Sequence, residues 1–206
     1  FGGDARSVVC DVADPDSVSI AFSAATDALG AAHVLVNNAG QARSAPFTAT
    51  SLDLWQHTID VNLTGAFLCT QQVLPSMLDS SAGRIVNIAS TAALRGYATM
   101  AAYCASKHGL LGMTRSLASE VAKSAITVNA VCPGYTEGGM SDQAVAAIMA
   151  LRGVSADEAL AMLTRHNPQK RLTTQEEVAA TVVWLCSPDA SAITGQAIAV
   201  AGGEVM

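Results

Sequence analysis

The chain has 206 residues, half of them apolar, with a net charge of −6 and a pI near 5.0. That length and apolar share suffice for one sizeable core, while eleven scattered Lys and Arg leave no electrostatic footprint for nucleic acid. No apolar run reaches the ~18 residues of a membrane span and no basic-then-apolar leader opens the sequence, so the expectation is a single cytoplasmic domain working on a small molecule, without nucleic-acid or membrane partners.

In chain order, Ser7–Cys10 reads as a short strand ending at Asp11, and a helix over about Pro15–Leu29 follows, with Pro15 suited to a first helical turn. His33–Asn37 is the next strand. A long helix over Ser51–Leu78, with Ser51 as its cap, leads to the apolar strand around Ile85. Then come a helix over Ala98–Lys123 and a strand from Thr127. Past Pro133 the pattern loosens around Gly138 and Gly139 into two short helical stretches, about Ser141–Leu151 and Ser155–Arg165. A helix over Thr174–Cys186 and a strand over Ala197–Val200 finish the pattern. Strands separated by helices of this length imply an α/β fold, a Rossmann-like doubly wound parallel sheet with helices on both faces. The five cysteines lie mostly in apolar segments without a Cys-x-x-Cys pair and read as reduced thiols. The four histidines lack ligand spacing, so no metal is expected. Trp55, Trp184 and the methionines default to core packing.

One pair points to chemistry. Tyr103 and Lys107 stand four apart on a predicted helix and share a face. A phenol alone titrates near ~10; an ammonium fixed beside it favours the phenolate and lowers that value, which makes a proton donor usable near neutral pH. An ordinary amphipathic pair is the alternative, and its company argues against that. Ser90 lies thirteen positions before Tyr103 at a strand end, and Asn37-Asn38-Ala39-Gly40 follows Val34-Leu35-Val36. Asn62 and Gly65 sit together inside a helix that both disfavour. Pro133 and Gly134 end another strand at the edge where ligands bind in such sheets. Tyr97 and Tyr135 have Ala101 and Gly139 four residues on, so neither replaces Tyr103.

From Asp11 to Gly203 this ordered set resembles the short-chain dehydrogenase/reductase family. The resemblance implies a nicotinamide cofactor, NAD or NADP, and a catalytic quartet of Asn62, Ser90, Tyr103 and Lys107. Ser90 would hold a carbonyl oxygen while Tyr103 protonates it. Lys107 would tune the phenol and bond the nicotinamide ribose, and Asn62, at a helix irregularity, would help hold a water that joins Lys107 to solvent. It also implies an adenine contact at Asp11 and Val12, and a cofactor lining at Asn38, Ala39 and Gly40, in a segment that with Asn37 steadies the sheet. Backbone groups after Pro133 and Gly134 would meet the nicotinamide carboxamide. Two departures stand out: the Thr expected four positions after Gly134 is Gly138, with Thr136 the only nearby Thr, and the usual Asp-Gly-Gly after the last strand is Ala201-Gly202-Gly203.

The family opens with a strand, a glycine-rich turn and a helix that receives the pyrophosphate. Nothing before Asp11 matches them, so the first two strands are expected to be absent, the sequence partial, and the Ser7–Cys10 strand unpaired or displaced. The residue that senses the ribose 2′ position falls outside the sequence, so the resemblance does not separate NAD from NADP.

Over Arg84–Met140 the likeness is greatest to bacterial 3-oxoacyl thioester reductases, 3-hydroxyacyl-CoA dehydrogenases and polyketide ketoreductases. It implies reversible hydride exchange between a nicotinamide and a ketone or secondary alcohol, on a 3-oxoacyl or 3-hydroxyacyl thioester. Leu94, Tyr97, Met100, Tyr135 and Met140 are candidate acyl-chain walls beneath a covering segment 135–170, although packing explains each nearly as well. Arg95, Arg165, Lys170 and Arg171 would meet a thioester's phosphate or only solvent. Two alternatives stay open. One is a small 3-hydroxy-acid or sugar-alcohol dehydrogenase, weakened because the carboxylate-binding Gln of that group is Ala42 here, with Gln41 one position early. The other is a catalytically silent binding or assembly module lacking its phosphate loop. A homotetramer built through the Ser51 and Ala98 helices is implied as well.

Overall fold

Four parallel strands in the order β1 (Val34–Asn37), β2 (Ala82–Ile88), β3 (Ala125–Pro133) and β4 (Ala197–Val200) form one sheet in the computed structural model, which describes residues 4–80 and 82–206. All three pairings are parallel, and the register sets Asn37 beside Asn87, Ile88 beside Val131 and Pro133 beside Val200, so the carboxyl ends finish along one edge. The helices are α1 (Pro15–Leu29), α2 (Leu52–Ile59), α3 (Gly65–Ser80), α4 (Ala101–Glu120), α5 (Gly139–Arg152), α6 (Ala156–Leu163) and α7 (Gln175–Cys186).

Side-chain alternation along the strands builds the layers. Ile85, Ile126 and Val128 turn towards Val73 and Met77 of α3 and Ala118 of α4, whereas Val86 and Val131 meet Leu185 of α7 on the opposite face. Each of these buried branched side chains contributes about 1.5–3 kcal/mol by leaving water. A polar ladder runs between the strands and the α3 and α4 layer: Asn37 Nδ2 donates to Thr70 Oγ1 at 3.2 Å and to Asn87 Oδ1 at 2.8 Å, and Asn87 Nδ2 donates to Thr114 Oγ1 at 2.8 Å. Every member is buried, so each bond is strengthened by the low dielectric and fixes the end of β1 against β2.

The predicted caps are in place. Pro15 opens α1 behind Asp14, whose side chain accepts from Asp16 N, and Ser51 caps α2 by accepting from Leu54 N. Capping boxes at Ser155/Glu158 and Thr174/Glu177 start α6 and α7.

Two expectations need correction. Residues 7–10 form no strand; residues 4–11 have no regular structure, and Val9 is 97% exposed. With no strand beside it among the described residues to complete a ladder, the run stays as solvated coil, unpaired as expected. The long helix expected over residues 51–78 is divided. A π-helical turn over Asp60–Thr64 separates α2 from α3, with Gly65 N–H donating to the Asp60 carbonyl. Asn62 and Gly65 make that position costly for a regular helix, and their side-chain and close-approach contacts, described below, reward the irregular one.

Candidate active site

Loops leaving the four strand ends converge on one edge: residues 38–50 after β1, 89–100 after β2, 134–138 after β3 and 201–206 after β4. Helix α4 packs against β3 and the short 3₁₀ turn Thr91–Ala93, and so brings Tyr103 and Lys107 to the same place. Ser90 is the extended residue that ends the β2 run; its Oγ accepts from Ala92 N at 3.1 Å, which starts the 3₁₀ turn and fixes the hydroxyl.

The Ser90 hydroxyl faces the Tyr103 phenol closely enough to favour its ionised form. Burial pushes that phenol up from its ordinary 10.0, and the facing Ser90 hydroxyl is the influence pulling it down. This corrects the expectation that Lys107 would do so. The ammonium stands over the Tyr103 ring, 5.8 Å from its centre, and donates its hydrogen bond to the Ile88 carbonyl at 2.7 Å. Lys107 is only 4% exposed, and burial brings its own ammonium from 10.5 down to about 8.

Asn62 is 1% exposed and acts as a clasp. Its Oδ1 accepts from Gln41 N at 2.8 Å, and its Nδ2 donates to the Gln41 carbonyl at 2.9 Å and to Ser106 Oγ at 3.0 Å. Both amide hydrogens therefore have protein partners. The expected irregularity lies at this residue, but its amide hydrogens join the loop after β1 to α4 and are not free for a water. Gly40 stands between: a Cβ there would lie 3.3 Å from Asn62 Oδ1 and 3.5 Å from Lys107 Nζ, so only a hydrogen leaves the approach to the ammonium open.

The cofactor-lining candidates occupy one open rim. Asn38, Ala39 and Gly40 are exposed in sequence. Asp11 is exposed too, its Oδ1 accepting from Ala13 N at 3.0 Å and its N–H donating to Ser17 Oγ at 2.9 Å. Val12 leans on Gly65, where a Cβ would come within 2.9 Å of the Val12 carbonyl oxygen. Pro133 ends β3, and Gly134 N donates to the Val200 carbonyl at 3.1 Å. Thr136 Oγ1 donates back to the Gly134 carbonyl at 3.1 Å, so its hydroxyl is engaged within its own loop.

Among the proposed walls, Leu94, Tyr135 and Met140 are exposed, Met140 at 58%, and Met100 is partly buried before α4. Tyr97 is different: its hydroxyl is bonded to Thr91 Oγ1 at 2.7 Å and to Glu204 Oε1 at 2.5 Å, and Arg95 lies over its ring at 5.0 Å. Arg171 forks onto Glu177 at 2.6 and 2.8 Å, and Lys170 Nζ donates to the Arg165 carbonyl at 2.6 Å. His108 bonds the Cys104 carbonyl at 2.9 Å, away from Tyr103 as its helical position requires. Gln41, Ser106 and Glu204 escaped the sequence reading, because each acts through a contact with a distant segment, and Thr91 escaped it because its bond to Tyr97 depends on the course of an irregular loop. Only the paired helix disruptors Asn62 and Gly65 hinted that something was held there.

Comparison with known proteins follows the same outline. The family model described as enoyl-(acyl carrier protein) reductase matches residues 1–204. A Streptomyces violaceoruber protein described as ketoacyl reductase 1 of the granaticin polyketide synthase is 41% identical over 204 residues, 98% of this chain and 75% of that one. A 3-oxoacyl-(acyl-carrier-protein) reductase from Synechocystis is 39% identical over 206 residues, the whole of this chain and 78% of its own length. Among solved structures, a variant of actinorhodin polyketide ketoreductase with NADPH superposes with a TM-score of 0.90 at 40% identity, covering 95% of this chain and 76% of the other.

Proposed function

The chain belongs to the short-chain dehydrogenase/reductase family of NAD(P)-dependent oxidoreductases, and from that premise we propose that it reduces the ketone of a 3-oxoacyl thioester, reversibly, with Ser90, Tyr103, Lys107 and Asn62 as the working residues. The observation that carries this reading is the convergence of Ser90, at the end of β2, and Tyr103, at the start of α4, with the buried Lys107 ammonium over the Tyr103 ring at 5.8 Å. The ketoacyl and 3-oxoacyl reductases among its relatives favour a thioester over a small hydroxy acid.

The residues fit a nicotinamide cofactor at its nicotinamide-ribose end. Lys107 has one hydrogen bond among the described residues, which leaves two ammonium hydrogens for ribose hydroxyls, and Gly40 keeps that approach clear. Asn38, Ala39 and the backbone after Pro133 would line the rest, with Asp11 and Val12 at the adenine end. Once bound, the cofactor supplies or accepts the hydride.

The protein's own part is orientation and proton handling. Ser90 holds the substrate oxygen at the end of β2. Tyr103, kept protonated at neutral pH by burial, donates its proton to that oxygen in the reductive direction and takes it back in the oxidative one. Ser90 moderates how tightly the phenol holds it. Lys107 fixes the ribose and adds a positive field at the site. Asn62 acts as a clasp that aligns the Gln41 backbone with α4, and the remaining Oδ1 lone pair and the π turn's backbone are left to hold a proton-relay water.

Within one domain, residues 135–170, which include α5 and α6, would cover the acyl chain, with Leu94, Met100, Tyr135 and Met140 as its walls. A cytoplasmic homotetramer through α2, α3 and α4 belongs to the same reading; among the described residues no helix is long and apolar enough to cross a membrane. The decisive experiment is Tyr103→Phe in the holoenzyme: turnover of acetoacetyl-CoA should fall at least a thousandfold while NADPH still binds, and unchanged turnover would end the assignment.

A further inference from the structure

We infer that Glu204 is a positioning residue that fastens the wall of the substrate cleft: its carboxylate latches Tyr97, and through Tyr97 the loop running from Ser90 to Tyr103. The inference rests on the reductase reading and adds to it a residue that touches none of the reacting groups.

The latch joins residues 107 positions apart. Tyr97 donates to Glu204 Oε1 at 2.5 Å, a distance typical of a charge-assisted hydroxyl bond. On its other side the phenol oxygen meets Thr91 Oγ1 at 2.7 Å, in the 3₁₀ turn that Ser90 begins. Burial and the carboxylate together push the Tyr97 phenol well above its ordinary value, so it stays a donor at every working pH. Arg95 covers the ring at 5.0 Å.

Two further features show why this loop needs holding. Thr99 has φ of +66°, a left-handed conformation that strains a β-branched residue. It persists because the loop is pinned on that side as well: Ser44 and Thr99 share a 2.7 Å hydroxyl bond, and Ala45 N donates to the Thr99 carbonyl at 2.8 Å. Glu204 supplies the second pin.

The same turn also reaches the other walls. Glu204 Oε2 lies 3.2 Å from where a Cβ of Gly134 would be, in the loop after β3. Gly202, at φ +59°, passes so close to the buried Asn167 that a Cβ would overlap its amide, and Gly203 lies against Pro168, both at the foot of the covering segment. Residues 201–204 therefore touch the Ser90 loop, the loop after β3 and the covering segment at once. Of these contacts, the Tyr97 bond is the one made by a removable functional group.

The test compares Glu204→Ala, Tyr97→Phe, the double variant and Glu204→Gln in the holoenzyme, with NADPH and acetoacetyl-CoA. Glu204→Ala should raise the KM for the thioester about tenfold, lower kcat less, and leave the KM for NADPH within twofold. Tyr97→Phe should match it, the double variant should be no worse than either single one, and Glu204→Gln, which keeps an acceptor for the phenol, should restore most of the loss. Independent losses that multiply in the double variant, a wild-type KM in Glu204→Ala, or equal losses for both substrates would each overturn the latch. If the wild-type protein fails to reduce the thioester, the reductase reading falls by itself. Amide exchange of residues 91–100 then decides the latch: at least tenfold faster exchange in Glu204→Ala sustains it, and unchanged exchange refutes it.

Discussion

The Asn62 side chain closes on the Gln41 backbone from both sides, accepting from its N–H at 2.8 Å and donating to its carbonyl at 2.9 Å. A flat amide thus takes the place of a neighbouring strand residue and ties the loop after β1 to the π turn.

Removing that amide leaves the part-buried Gln41 N–H and carbonyl without this partner and takes one of two bonds from the Ser106 hydroxyl, which keeps the Tyr103 carbonyl at 2.8 Å. Asn62→Leu should therefore destabilise the protein by about 2–4 kcal/mol, more than the ordinary loss of one hydrogen bond. Asn62→Asp keeps the acceptor but sets a carboxylate against the Gln41 carbonyl, so it should not rescue. Urea unfolding of both variants checks this; a loss below about 1 kcal/mol would mean the clasp is dispensable.

Ser90 offers a pH test. Its hydroxyl is the influence that lowers the Tyr103 phenol against the upward push of burial. Alcohol oxidation needs the phenolate, so kcat/KM in that direction should rise with pH towards the phenol's raised value, while ketone reduction, which needs the proton, stays level until the same point. Ser90→Ala removes the lowering influence and should move both limbs to higher pH, with a fall of about 10²–10³ in kcat from the lost hold on the substrate oxygen. A shift to lower pH would contradict the assigned direction.

Much of this architecture could be read from the residues in advance. Strand and helix order followed from apolar runs and caps, because Ser51, Pro15 and the Ile85 run act within a few residues of themselves. Ser90, Tyr103 and Lys107 were legible for a related reason: a strand end and a four-residue helical spacing are local geometry. The influence of Lys107 on the phenol was not. That the ammonium over the ring gives its hydrogen bond to the Ile88 carbonyl depends on β2 packing against α4, which spacing does not contain. Tyr97 shows the same limit, since its partner Glu204 arrives from the end of the last strand. The Ser7–Cys10 run shows the opposite error: its residues suit a strand, but a strand exists only beside another.

Gly65 is the tightest contact between the Asp11 turn and the helix layer. A Cβ there would stand 2.9 Å from both Val12 Cγ2 and the Val12 carbonyl oxygen. The side-chain atom can swing away, whereas the backbone oxygen cannot. Gly65→Ala gains about 1 kcal/mol in helix propensity, yet the overlap costs about 1–3 kcal/mol, so a net loss is expected. Because the displaced residues are the adenine-end candidates, the KM for the nicotinamide cofactor should rise more than that for the thioester. An equal rise in both would place Asp11 and Val12 away from the cofactor.

Lys107 sets function against stability. Its ammonium titrates near 8 in the folded protein and at 10.5 when free. A base held below its free value destabilises the fold wherever it is protonated: the cost is complete below about pH 8, shrinks as the unfolded chain holds the extra proton between 8 and 10.5, and is gone above. The shift corresponds to about 3 kcal/mol, against about 1–2 kcal/mol for leaving the Ile88 carbonyl without its donor. Burial wins, so Lys107→Met should abolish turnover yet stabilise the protein at pH 7 by about 1–2 kcal/mol, as a working residue held at a structural cost would. Urea unfolding at pH 7 and again near pH 10.5 separates the terms. At the higher pH the lost carbonyl bond is all that remains, and the variant should be the less stable of the two. Destabilisation at pH 7 would show that the ammonium is better satisfied in the fold than its single bond to Ile88 implies.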